Sequence, residues 1–188
     1  MSEKISFKTI TLPNILSVLR IVLIPVFIYF YLDQQKTLAL AVLFIASATD
    51  LLDGIAARAF NQRSRVGYIL DPLADKLLMD STYILFTIKA LPLTIYVPKW
   101  LTLTIVSRDL IMVLGAGLIT ILTPDRILKP HWLGKATTTA QMVTAILVLF
   151  INVSSVKIPG MTGIFWFTGI LTIISGFYYI LREISNVE

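Results

Sequence analysis

The chain has 188 residues, of which 56% are hydrophobic and 14% charged, and its mean hydropathy is +0.83. A soluble domain carries about 25% charged residues, so this balance excludes one and predicts an integral membrane protein forming one domain over residues 1–188. The net charge of +5 comes from basic residues scattered between apolar segments, which argues against nucleic acid as a partner, and the absence of cysteine excludes disulfides, thiolate chemistry and Cys-based zinc sites.

The chain opens on a polar stretch with no small-residue cleavage site behind a short apolar core, so the first apolar run is expected in the mature protein. Residues 1–12 mix Ile5, Phe7, Ile10 and Leu12 with Lys4 and Lys8, which suits either a short interfacial helix or a plain polar tail. Six stretches then approach the roughly 20 apolar residues that a helix needs to cross a bilayer. They run over 14–32, 37–60, 67–91, 97–122, 133–152 and 162–181, joined by short connections that carry turn or charge signals. The expected fold is all-α: a polytopic membrane protein with six transmembrane helices and a polar cavity facing the cytoplasm.

Orientation follows from Lys and Arg. With six spans both termini share a side, and that side collects Lys4, Lys8, Arg58, Arg63, Arg65, Arg126, Lys129, Lys135 and Arg182. The opposite loops hold Lys36, Lys89, Lys99 and Lys157. By the positive-inside rule the termini and the loop after Arg58 are cytoplasmic.

Four carboxylates interrupt the apolar pattern. Asp50 and Asp53 lie at the end of the second stretch, Asp71 and Asp75 in the third. Ionisable groups at membrane depth are expensive, and four of one sign need cations to stay ionised together. On a helix, residues three and four apart share a face, so Asp50, Asp53, Gly54, Ala57 and Arg58 make one stripe and Asp71 and Asp75 another. Two antiparallel neighbouring helices can turn both stripes toward each other. Such a set suits hard cations, Mg²⁺ or Mn²⁺, which take oxygen ligands and share them with substrate phosphates. Two such ions could clamp both oxygens of an in-line displacement at phosphorus. Gly54 and Ala57 leave room against the backbone, and Arg58 offers a fork for a diphosphate. The plainer reading is that one Asp serves as an interhelical partner, the small residues serve close packing and Arg58 marks the membrane edge. It does not account for all of these residues at once.

The pattern Asp50-x2-Asp53-Gly54-x2-Ala57-Arg58-x8-Gly67-x3-Asp71-x3-Asp75 resembles, without departure, the signature of the CDP-alcohol phosphatidyltransferases. The likeness extends to Pro13-Asn14 and Arg20, to Leu70 through Lys76, to Ser107-Arg108-Asp109 and to Gly134 through Thr138. It implies a six-helix membrane enzyme, usually a homodimer, in which an alcohol displaces CMP from a CDP-linked lipid, CDP-diacylglycerol. By the same resemblance Asp50, Asp53, Asp71 and Asp75 form a site for two divalent ions, with Asp75 as general base. Asp50, Gly54, Ala57, Arg58 and Gly67 would accommodate the CDP part.

Arg108, Lys135 and Thr138 are the candidate acceptor contacts, since cations at the cytoplasmic end suit an acceptor phosphate. Thr137 and Gln141 are possible neutral neighbours, and a structural Arg108–Asp109 or Arg108–Asp80 pair is the alternative. Two acceptors compete. Glycerol 3-phosphate is the first reading, on resemblance to phosphatidylglycerophosphate synthases in the first three helices. Phosphatidylglycerol is the second, on resemblance to CDP-dependent cardiolipin synthases in Asn61 through Ser64 and Ser107-Arg108-Asp109.

His131 beside Trp132 reads as an interfacial anchor in preference to a metal ligand, and Asp80 as a partner for an internal cation. An ion or proton transporter also places acids in the membrane, but it needs a route to both faces, and here the acids gather near one.

Overall fold

The computed structural model describes residues 12–60, 65–89, 92–122, 132–156 and 158–185, with the side chains of 12–17, 50–60, 65–72, 116, 118–122 and 183–185 outside that description. Among the described residues six helices follow one another: α1 (Leu12–Leu32), α2 (Lys36–Phe60), α3 (Arg65–Thr87), α4 (Lys99–Leu122), α5 (Trp132–Ser154) and α6 (Met161–Ser185). No strand occurs among the described residues. The expected all-α architecture is therefore present, with each boundary within four residues of its apolar run. The N-terminal segment before Leu12 and the loop containing His131 lie outside the described residues.

The largest departures are at two C-terminal ends. The apolar run of the third helix continues to 91, but α3 stops at Thr87. Pro92 lacks the N–H needed to continue a ladder and biases its predecessor away from helix. The chain instead folds back, and the Val97 N–H donates to the Phe86 carbonyl at 3.0 Å. Asn152 of α5 holds this connection, accepting from the Thr94 and Ile95 N–H groups at 2.7 and 3.1 Å and donating to the Ile95 carbonyl at 3.1 Å. Conversely α6 runs on to Ser185, with Arg182 in a last turn where a cation meets the negative end of the helix dipole.

Packing places α1 against both α2 and α3, α5 against α2, α3 and α6, and α4 against α3 and α6. The apolar core repeats at helical spacing, with Ala39, Leu43 and Ala46 of α2 fully buried against Phe27 and Tyr31 of α1. An aromatic run continues it: Phe27 and Tyr31 are 5.8 Å apart, and Tyr31 and Phe86 are 5.4 Å apart.

The interior is also unusually polar. Thr144 and Thr168 share a 2.8 Å hydrogen bond between α5 and α6, and Gln141 donates to Thr172 at 3.1 Å in the same seam. Outward, α6 presents Trp166, Phe167, Ile170, Ile173, Ile174 and Phe177 to its surroundings. Apolar outside and hydrogen-bonded inside is the arrangement that lipid favours, because packing and interhelical hydrogen bonds hold helices together there. By length and composition, α5 and α6 are apolar enough to cross a membrane, while α1 and α2 contain shorter apolar stretches over Val18–Leu32 and Lys36–Thr49.

Candidate active site

The acidic motif falls on two helix ends. Asp50, Asp53, Gly54, Ala57 and Arg58 occupy the last turns of α2, and Gly67, Asp71 and Asp75 the first turns of α3. Because both segments are continuous helix, the spacings of three and four put each set on one face of its helix. The side chains of Asp50, Asp53, Ala57, Arg58 and Asp71, like the surroundings of Gly54 and Gly67, lie outside the described residues. Asp75 is described and half-buried, next to the fully buried Ala74.

The donor set itself can be tested against a metal. Four carboxylates in a chain without cysteine form an all-oxygen set, which fits hard divalent ions and not soft ones. Leading up to Asp50, the buried hydroxyls of Ser47 and Thr49 return to the Leu43 and Ala46 carbonyls at 2.8 and 2.7 Å. Those groups are satisfied within α2 and do not compete for the carboxylates.

A second polar cluster begins one residue beyond Asp75. Lys76 donates from Nζ to Oδ1 of Asp109 on α4 at 3.2 Å, and to the Asp109 backbone carbonyl at 3.3 Å. Arg108 donates from Nη1 to that same Oδ1 at 2.6 Å, and from Nη2 to Ser175 Oγ on α6 at 2.8 Å. Arg108 and Asp109 are almost wholly buried. Of the two internal pairings open to Arg108, the structure forms the one with Asp109. Asp80 is not hydrogen-bonded to a cation: its buried Oδ1 has no hydrogen-bond partner among the described residues. Lys76 and Arg108 both turn to Asp109, which already bonds two cations through one oxygen.

The other acceptor candidates lie at the start of α5. Lys135 is exposed, and Thr138 donates to the Gly134 and Lys135 carbonyls at 3.2 and 3.1 Å. A side chain on Gly134 would approach Arg108 Nη2 at 3.9 Å, so the first turn of α5 borders the guanidinium. Thr137 and Gln141 instead face the α6 seam, where Thr137 donates to the Leu133 carbonyl at 2.8 Å. Arg20, fully buried on the helix that packs against both α2 and α3, is engaged within the bundle. Its burial, which the sequence does not reveal, marks it as part of the interior.

A recess of about 650 Å³ opens at the far end of the bundle, beside Gln34, Lys36 and Asn152. Fourteen residues of α2 separate Lys36 from Asp50, or about 21 Å of helix, so that recess is remote from the acidic motif.

The fold and the motif define a helical bundle with an all-oxygen acidic set on two helix ends. A family model described as CDP-alcohol phosphatidyltransferase matches residues 10–177, and the chain belongs to that family. The human cardiolipin synthase (CMP-forming) is 37% identical over 149 residues, covering 71% of this chain and 48% of the human protein. The cardiolipin synthase (CMP-forming) of Streptomyces coelicolor is 36% identical over 118 residues, covering 60% and 53% respectively. The CDP-diacylglycerol--glycerol-3-phosphate 3-phosphatidyltransferase of Escherichia coli is 33% identical over 175 residues, covering 90% of this chain and 92% of the relative. The chain spans about half the length of these cardiolipin synthases.

Proposed function

We propose that the protein transfers a phosphatidyl group from CDP-diacylglycerol to a glycerol-type acceptor, releasing CMP. The observation that carries this reading is the eight-position acidic motif, carried on the last turns of α2 and the first turns of α3 in a chain of this family. Asp50, Asp53, Asp71 and Asp75 hold two divalent ions, Mg²⁺ or Mn²⁺. Bound there, the ions offset negative charge on the diphosphate and on the departing CMP.

The protein's own groups do the rest. Gly54, Ala57 and Gly67 leave space beside the backbone for the CDP part, and Arg58 pairs with its diphosphate. Asp75 accepts the proton of the acceptor hydroxyl. The hydroxyl oxygen forms a bond to the phosphatidyl phosphorus, and the bond from that phosphorus to the CMP oxygen breaks. Arg108 and Lys135 hold the acceptor's phosphate, and Thr138, whose hydroxyl hydrogen already goes to helix carbonyls, accepts from a hydroxyl of the acceptor.

The first acceptor is glycerol 3-phosphate, supported by the near end-to-end match to the Escherichia coli relative that is named for it. The second is phosphatidylglycerol, favoured by the higher identity to cardiolipin synthases. By resemblance to its family the chain acts as a six-span homodimer in a bacterial inner membrane, and the distribution of Lys and Arg supports a cytoplasmic site and cytoplasmic termini.

The test is an acceptor panel. Purified protein with radiolabelled CDP-diacylglycerol and Mn²⁺ or Mg²⁺ is given glycerol 3-phosphate, phosphatidylglycerol, serine or inositol phosphate in separate reactions. CMP release with glycerol 3-phosphate alone supports the first reading, and release with phosphatidylglycerol alone supports the second. No release with any acceptor overturns both.

A further inference from the structure

We propose, resting on that reading, that Asp109 is a positioning residue that ties the helix bearing the base Asp75 to the acceptor-binding guanidinium of Arg108. The geometry is a three-helix junction built on one carboxylate oxygen. Oδ1 of Asp109 accepts from Arg108 at 2.6 Å and from Lys76 at 3.2 Å, and Arg108 reaches on to Ser175 at 2.8 Å. Lys76 is the immediate neighbour of Asp75, so any movement of Lys76 toward α4 carries the base with it. Exposure of the three charged side chains is only 15%, 4% and 2% for Lys76, Arg108 and Asp109, so solvent screens their attraction weakly.

Formal charge points the same way. Lys76 and Arg108 bring two positive charges, and Asp109 and Asp80 two negative ones. Asp80, one turn beyond Lys76 on α3, balances charge but is not hydrogen-bonded to either cation. Asp109 is therefore, among the described residues, the carboxylate that hydrogen-bonds both cations. Neutralising it leaves two cations side by side in a buried place, and they separate. Lys76 keeps its 3.3 Å bond to the Asp109 carbonyl, so α3 and α4 stay joined while the guanidinium loses its aim.

Arg108 also has capacity to spare. Its buried Nε has no hydrogen-bond partner among the described residues, and its Nη2 spends one bond on a neutral hydroxyl. Asp109 thus holds one edge of the guanidinium and leaves another for an anion.

The test uses the full chain in detergent, with CMP release measured against each substrate in turn. Asp109→Asn is expected to raise the acceptor KM by about tenfold and to leave the KM for CDP-diacylglycerol within about twofold. Lys76→Arg, which keeps the pair, is expected to stay within about threefold of wild type. Lys76→Met combined with Asp109→Asn should be no worse than the poorer single variant, because both act through one contact. Equal effects on both KM values, or additive losses in the double variant, overturn the proposal. Should Asp109→Asn fail to fold, Lys76→Met and Lys76→Arg carry the same KM comparison. A wild-type protein that releases no CMP fails the functional reading instead, and additive shifts in melting temperature across the same cycle would then overturn the junction.

Discussion

The indole of Trp100 on α4 lies against the bare backbone of Gly169 on α6, so close that a β-carbon on Gly169 would overlap the ring. The same indole is paired with Trp166, one turn earlier on α6, at a centroid distance of 4.6 Å. Gly169 therefore sets the approach of α4 to α6, and with it the position of Arg108 relative to Ser175. Gly169→Ala gains helix propensity of about 1 kcal/mol. Overpacking of a tight contact costs about 1–3 kcal/mol, and a rigid indole held by a second ring has little room to yield. The net expectation is a lower melting temperature in detergent, with loss of the Trp100–Trp166 contact in near-ultraviolet circular dichroism. An unchanged melt and spectrum would mean that the helices separate at no cost.

The acidic set predicts a metal requirement and a base requirement that come apart experimentally. EDTA should abolish CMP release, and Mn²⁺ or Mg²⁺ in excess should restore it. A reaction indifferent to EDTA would remove the metal assignment. Asp75→Asn keeps the size of the side chain but cannot take the hydroxyl proton, and its kcat should fall by about 10²–10⁴-fold. Gel filtration and thermal melting check that the variant is folded. Full activity would exclude Asp75 as the base.

The number of helices was legible because each apolar run has length and turn signals at both ends, and those local properties survive folding. The acidic motif was legible for a similar reason: its eight positions lie in one short stretch, and helix geometry alone puts them on two faces. The Lys76–Asp109 contact was not, since 33 residues separate the partners and nothing local links them. For the same reason the internal pairing of Arg108 stood as a choice between Asp109 and Asp80. From the sequence, Asp80 reads as a partner for an internal cation, with Arg108 as one candidate. Tertiary packing of α4 on α3 brought a different carboxylate to the cations. The early end of α3 was masked by an apolar run that continues past the last helical turn, where Pro92 and the returning Val97 decide the matter.

Asn152 is buried on α5, far from the acidic motif, and its side chain meets three backbone groups of the connection between α3 and α4. Leucine has similar volume and none of these bonds. Asn152→Leu leaves the Thr94 and Ile95 N–H groups without this acceptor, at about 1–3 kcal/mol for each one that stays buried. The melting temperature should drop, while the KM values of the folded fraction stay near wild type. An altered acceptor KM would instead connect this end of the bundle to the site.

Lys135 offers the sharpest distinction between the two acceptors. It is exposed on the first turn of α5, and the adjacent Gly134 borders the guanidinium of Arg108; in the proposed site the ammonium and the guanidinium would meet one anion from two helices. Thr138, one turn on, gives its hydroxyl hydrogen to the Gly134 and Lys135 carbonyls and keeps its oxygen lone pairs. A phosphate monoester such as glycerol 3-phosphate carries nearly two negative charges at neutral pH, whereas the phosphodiester of phosphatidylglycerol carries one. Lys135→Ala should therefore raise the KM for glycerol 3-phosphate by about tenfold or more and that for phosphatidylglycerol by less, with kcat within about twofold for either. Because the ammonium is exposed, added salt should weaken the wild-type affinity and erase much of the difference between wild type and variant. Initial rates at low and high ionic strength, with CDP-diacylglycerol saturating, measure all of this. An acceptor KM that ignores both the substitution and the salt would leave Lys135 as a surface cation marking the cytoplasmic edge of α5.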